Sequence, residues 1–236
     1  MSIREISQSL GKTLENIDYP EPVRYVYNPV HYAWKSHEMY LERFSSSTKE
    51  VLFLGINPGP FGMAQTGVPF GEVSSVRDWM GIEAPVKKPP IEHPKRPIIG
   101  FACERSEVSG RRLWGWAQER FGTAENFFDR FFVWNYCPLS FMIETGANFT
   151  PDKFPVELKD TIFSHCDDAL RALVKELDPE WVIGVGKFAE SRAKEALGNE
   201  LYKIGTILHP SPASPAANRG WSEAAEKQLS AMGIHF

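Results

Sequence analysis

A chain of 236 residues, 42% hydrophobic and with a net charge of −4, has the apolar content for one substantial core and does not announce itself as a nucleic-acid binder. No apolar run reaches the length of about eighteen residues needed to span a membrane, and Met1–Gln8 lacks the charged start and apolar stretch of a secretory signal. Cys103, Cys137 and Cys166 share no paired spacing, which argues against a disulfide framework, a structural zinc and an iron–sulfur site, and fits a reducing cytoplasm. No metal or cofactor is expected.

Taken in chain order, residues 1–20 read as an amphipathic helix that ends at Asp18-Tyr19-Pro20, and 22–47 as an aromatic segment helical in part. Val51–Ile56 is a short apolar run, the pattern of a buried strand, and it breaks into Asn57-Pro58-Gly59-Pro60 and a long uncharged loop ending at Val68-Pro69-Phe70-Gly71. Prolines and glycines around Asn57 fix the backbone just past a strand end, which suits a polar side chain that must be aimed. Ser75 can cap a short helix through Trp79, and 83–98 is a proline-stiffened basic connector containing Lys87, Lys88, Lys95 and Arg96. A helix is expected from about Ser106, with Leu113, Trp116, Ala117 and Phe121 on one face. Strands follow at Phe131–Trp134, Trp181–Val185 and Lys203–Leu208; helices follow at 156–177, Lys187–Leu197 and Trp221–Met232.

Strands separated by helices need crossover connections, so the expected fold is α/β: a single-domain three-layer sandwich over residues 1–236, with a short, mostly parallel four-stranded central sheet flanked by helices. Such sheets bind ligands at their carboxyl edge. The residues that leave that edge are Asn57-Pro58, Asn135-Tyr136-Cys137-Pro138, Gly184-Val185-Gly186-Lys187 and His209-Pro210-Ser211-Pro212. Two amides and an imidazole thereby converge. An amide offers a donor and an acceptor to the edge of a heterocycle, or orients a water with its oxygen; an imidazole donates to an oxygen that gains charge as a leaving group departs. Phe70 and Tyr136 are candidates to stack on a flat ring. With no activated nucleophile in view, cleavage of an N-glycosidic bond with a positioned water fits these groups.

At these residues the chain resembles the single-strand-selective monofunctional uracil-DNA glycosylases, within the wider uracil-DNA glycosylase superfamily. Gly55–Glu72 is similar to that family's first motif, Asn135–Phe141 to its uracil-reading strand end, and His209–Pro212 with Asn218–Trp221 to its second catalytic motif. The resemblance implies a bacterial-type enzyme that hydrolyses uracil from single- and double-stranded DNA in the cytoplasm, at the nucleoid, as a monomer without an obligate protein partner or membrane association. It implies that Asn57 positions the water and His209 bonds uracil O2, that Asn135 reads the O4/N3 edge, and that Phe70 stacks. Backbone from Gly59 to Met63 lines the C5 side, and the loop through Pro210, Ser211, Pro212, Ala213, Asn218 and Arg219 enters the duplex. Relative to the best-known branch of the superfamily, Asn57 replaces an acid and Gly59 a tyrosine. Slower chemistry and room for a C5 substituent, as in 5-hydroxymethyluracil, are therefore expected. Ala213 stands where animal members carry an arginine, a departure that bears on duplex penetration. Two other readings use the same amides: a hydrolase of free nucleosides or nucleotides, and a base-sensing DNA-binding module.

Overall fold

The computed structural model describes residues 1–198 and 201–236. Ten α-helices and seven strands are found there. The central sheet holds β2 (Val51–Gly55), β3 (Phe131–Asn135), β6 (Trp181–Val185) and β7 (Lys203–Ile207), in the order β3-β2-β6-β7 with every pair parallel. Both β2 and β3 are buried along their whole length, as strands covered on two faces must be.

The pleat sorts their side chains. Phe53 meets Trp116 of α5 (Val108–Phe121) edge-on, and Gly205 of β7 lies under Met232 just past α10 (Trp221–Ala231), so these helices cover one face. On the other, Phe132 stacks on Tyr40 of α3 (Trp34–Phe44), and Gly184 lies under Glu190 of α8 (Lys187–Leu197). Behind α8 runs α7 (Val156–Leu177), which in turn carries α1 (Ile3–Glu15), started by a capping box between Ser2 and Glu5.

Four helices and all four strands of the sequence reading fall within a residue or two of their observed bounds. Other parts differ. A second, antiparallel sheet of order β1-β4-β5 forms from β1 (Val23–Tyr27), β4 (Ser140–Ile143) and β5 (Asn148–Phe149). The expected partial helix at 22–47 thus begins with a strand, followed by α2 (Pro29–Tyr32) and α3. A turn at α4 (Met63–Thr66), the helix α6 (Ala124–Arg130) and the turn α9 (Pro215–Asn218) were not foreseen. Ser75 does not cap a helix. The Glu72 carboxylate accepts from the Ser74 hydroxyl and from the Ser75 N–H and hydroxyl, and Ser75–Trp79 closes as a single wide turn. The helix expected from Ser106 begins at Val108, because Glu107 caps it by accepting from Ser109 N–H.

Candidate active site

A cleft of about 380 Å³ opens at the carboxyl edge of the parallel sheet. Asn57, Gly59, Met63, Phe70, Asn135, His209, Ser211 and Pro212 all line it, so the strand ends converge as their order along the chain implied. Backbone pairing continues past β2 and β3, from Tyr136 N–H to Gly55 O and from Cys137 N–H to Ile56 O, both at 2.9 Å. That extension holds the two asparagine-bearing ends side by side.

Asn57 donates from Nδ2 to the Leu139 carbonyl at 3.3 Å. The bond fixes the amide and leaves Oδ1, an acceptor, to the cleft. Asn135 is 5% exposed, and its Nδ2 donates to Met63 Sδ at 3.2 Å. Its register partner is Gly55, where a Cβ would overlap Asn135 Oδ1 and lie 2.7 Å from the Phe70 ring. Gly55 is therefore the floor on which amide and ring both rest.

Phe70 has φ 53°, a left-handed backbone that costs a non-glycine residue on the order of 1–3 kcal/mol. Its carbonyl is held by Trp114 Nε1–H at 3.0 Å and Glu72 N–H at 2.7 Å, and Gly110 packs so close beneath it that any side chain there would collide. The strain turns the ring over the cleft, 6.3 Å from the imidazole of His209 between centroids.

His209 accepts from Ser211 N–H on Nδ1 at 3.1 Å, so the neutral ring carries its proton on Nε2. Burial pushes its pKa below the ordinary value. The site thus holds a neutral N–H donor beside one amide with a free acceptor oxygen and a second amide that is buried.

Three expectations need correction. Tyr136 does not face the cleft. One residue beyond Asn135 the chain alternates to the opposite face of the sheet, where Tyr136 is buried; its hydroxyl donates to Asp167 at 2.6 Å and accepts from Arg192 Nε–H at 3.1 Å. The space beside Gly59 is not simply open. A Cβ there would stand 2.5 Å from Glu107 Oε2, so the carboxyl group takes the place a side chain would fill, and its burial raises its pKa. In the 209–220 loop, Pro210 is buried and Asn218 is committed internally: Nδ2 donates to Pro212 O at 2.9 Å, and Oδ1 accepts from Arg112 at 2.8 Å. These two shape the loop. Pro212, Ala213, Asn218 and Arg219 are exposed, and Ser211 partly so.

The sequence reading gave no such role to Gly55 or Arg112 and missed Glu107, as well as Asn148 and Thr150, which line the cleft at and just past β5 of the unforeseen second sheet. Glu107 had a signal: an acid two residues ahead of Ser109 is a helix start, and a helix start beside a glycine-rich loop brings its carboxylate with it.

Fold and cleft together define an α/β protein whose amide, imidazole and aromatic side chains meet at the carboxyl edge of a parallel sheet. The chain belongs to the uracil DNA glycosylase superfamily, whose family model matches residues 42–230. It is 49% identical over 227 residues to the single-strand selective monofunctional uracil DNA glycosylase of Mus musculus, covering 95% of this chain and 81% of that protein. The Bos taurus protein of the same name is 48% identical over 227 residues, covering 95% and 84%. The crystal structure of wild-type Pedobacter heparinus SMUG2 shares the fold with a TM-score of 0.63 at 19% identity, over 97% of each chain.

Proposed function

We propose that this chain is a monofunctional glycosylase of DNA base-excision repair, which hydrolyses the N-glycosidic bond of uracil in single- and double-stranded DNA and leaves an abasic site. The observation that carries this reading is the pairing, in one cleft, of Asn57 with a free Oδ1 and His209 with a free Nε2–H. A flipped uracil stacks on Phe70 and presents its O4/N3 edge to Asn135. The C1′–N1 bond breaks, its electron pair going to the base, and His209 Nε2–H stabilises the charge that gathers on O2. Water held by Asn57 Oδ1 adds to the cationic C1′ and loses a proton, and uracil leaves after taking one up. Among the described residues no lysine lines the cleft, in keeping with hydrolysis rather than an imine intermediate.

The decisive experiment incubates a uracil oligonucleotide, single-stranded or paired with guanine, with wild type and with Asn57→Ala. Strand cleavage at uracil only after hot alkali, and a loss of about 10²–10⁴-fold in the variant, support the reading. A wild-type protein that binds such DNA and releases no uracil sinks it and favours the base-sensing module.

The reading extends to uracils with a hydroxylated C5 substituent. Gly59 supplies no wall, and the Glu107 carboxylate is an acceptor on that side: a hydroxymethyl group donates to it, whereas the methyl of thymine strips its water and returns nothing. Glu107→Ser keeps a helix-capping oxygen and withdraws the carboxylate. Its ratio of 5-hydroxymethyluracil to thymine excision should fall about tenfold, and an unchanged ratio removes Glu107 from this role.

One domain over residues 1–236 is part of the proposal, supported by a main apolar cluster that runs from Ile3 to Ile234. So are a monomeric state, which size-exclusion chromatography tests, and work in a bacterial cytoplasm, in keeping with three cysteines that are all free thiols. No helix among the described residues is long and apolar enough to cross a membrane.

A further inference from the structure

The basic connector is not a loose linker. His93 is 1% exposed; its N–H donates to the Tyr27 hydroxyl at 2.7 Å, and its ring bonds Glu144 O at 2.9 Å and Lys95 N–H at 3.0 Å. Arg96 follows on fixed backbone: its N–H donates to His93 O at 2.8 Å and its carbonyl accepts from the Tyr27 hydroxyl at 2.8 Å. From that anchorage its guanidinium lies 5.3 Å from the centre of the Phe61 ring. Arg105 approaches the same ring to 4.1 Å. Phe61 adjoins Pro60, and Arg105 stands two residues before Glu107; both Pro60 and Glu107 line the cleft.

The partners of the arginines are unevenly shared. Every arginine before residue 96, and each between 120 and 192, stands in an ion pair with a carboxylate. Among the described residues, Arg96, Arg105, Arg111, Arg112 and Arg219 stand in none. Arg112 is spent on the 209–220 loop, whereas Arg96 uses one N–H on the Lys95 carbonyl and its Nε has no hydrogen-bond partner. The arginines beside the cleft are thus left without a carboxylate partner among the described residues.

We propose that Arg96 and Arg105, braced on Phe61, form a phosphate ledge that grips the DNA backbone next to the flipped nucleotide. The ligand is a phosphodiester, read without regard to base, and the ledge rests on the reading above that the substrate is polymeric DNA. Pinning the connector in advance leaves little side-chain and loop ordering to be done on binding. Ion contacts with a single strand release counterions, so each should add about 0.7 to the slope of log affinity against log salt.

The test measures kcat/KM on a single-stranded uracil 25-mer, and Kd for the same 25-mer without uracil, between 50 and 200 mM NaCl. Arg105→Gln should flatten both slopes by about 0.7, and Arg96→Gln with Arg105→Gln by about 1.4. The loss should appear in KM rather than in kcat, and Arg105→Lys should restore most of the slope. Arg105 is exposed, so its variants bear on binding and not on folding. Unchanged slopes with an active wild-type enzyme overturn the ledge alone, as does a fall in kcat at an unchanged slope. A wild type that releases no uracil from any oligonucleotide refutes the glycosylase reading instead, while the slopes for the uracil-free strand still decide the ledge.

Discussion

The backbone N–H of Ser211 donates to Nδ1 of His209 at 3.1 Å, and this single bond decides which nitrogen of the ring faces the cleft with a proton. Because burial lowers the imidazole pKa, the neutral donor persists as pH falls through the ordinary value of about 6.5. Single-turnover excision should therefore be flat from pH 8 to about 6.5 and decline only below it, when protonation of Nδ1 breaks the Ser211 bond. His209→Ala should cost about 10²–10³-fold in rate. A limb with its midpoint at or above the ordinary value contradicts the assignment.

Gly55 and Asn135 sit opposite each other at the ends of β2 and β3, with no space between for a methyl group. Gly55→Ala should displace the Asn135 amide and the Phe70 ring together. We expect kcat/KM for uracil to fall by 10- to 100-fold, with an overpacking cost of about 1–3 kcal/mol that leaves the protein folded. Steady-state kinetics beside a thermal melt separate the two effects; unimpaired kinetics would show that the floor yields.

Arg112 spans the loop that follows His209. It donates to Pro210 O at 2.9 Å, to Ser211 O at 3.2 Å and to Asn218 Oδ1 at 2.8 Å. On the proposed reading, the shape that Arg112 fixes is the one that enters the duplex. Arg112→Ala should reduce excision from uracil·guanine duplex about tenfold more than from single strands, the loss of two or more charge-assisted bonds being sufficient for that. Equal losses on both substrates would mean that the clamp serves His209 and not the loop.

His37 lies within the core, donating from Nδ1 to the Gly67 carbonyl at 2.7 Å and bonded at Nε2 to the Ser7 hydroxyl at 2.8 Å. Burial holds its pKa down at about 4. Since the unfolded chain takes up this proton first, the contribution is complete above about pH 6.5 and is lost as pH falls toward 4, on the order of 3 kcal/mol in all. Urea unfolding of wild type and His37→Gln at pH 7.5, 5.5 and 4.5 should show the wild type losing more stability on acidification. Parallel losses would assign the acid lability elsewhere.

Periodicity made α7, α8, β6 and the placement of Asn57, Asn135 and His209 legible in the sequence, because each lies on an element whose burial pattern is local. The second sheet was not legible in the same way. The strands β4 and β5 span six residues between them, too few for a pattern, and β1 was masked by its aromatic neighbours. Tyr136 shows the limit sharply: composition offered it as a stacking partner, and only the pleat says that it cannot share a face with Asn135. Glu107 and Arg112 act across contacts far along the chain, Arg112 reaching over about a hundred residues to Ser211, and no spacing rule announces such a partner.

Gln65 is fully buried, and its amide holds four backbone groups: Nε2 donates to Pro60 O and Pro97 O at 3.0 Å, while Oε1 accepts from Ile99 N–H at 3.0 Å and Gly100 N–H at 3.1 Å. The first-motif loop and the basic connector are thereby one piece. A mouth so fastened has little give, and the shape change of recognition falls to the nucleic acid. Discrimination then begins before any atom of the base is read, in how cheaply a nucleotide quits its stack. On the proposed reading, a wobble-paired or unpaired uracil should enter more readily than one held by adenine, and the stiffness of one buried glutamine would turn into a preference for the places where a double helix is already failing.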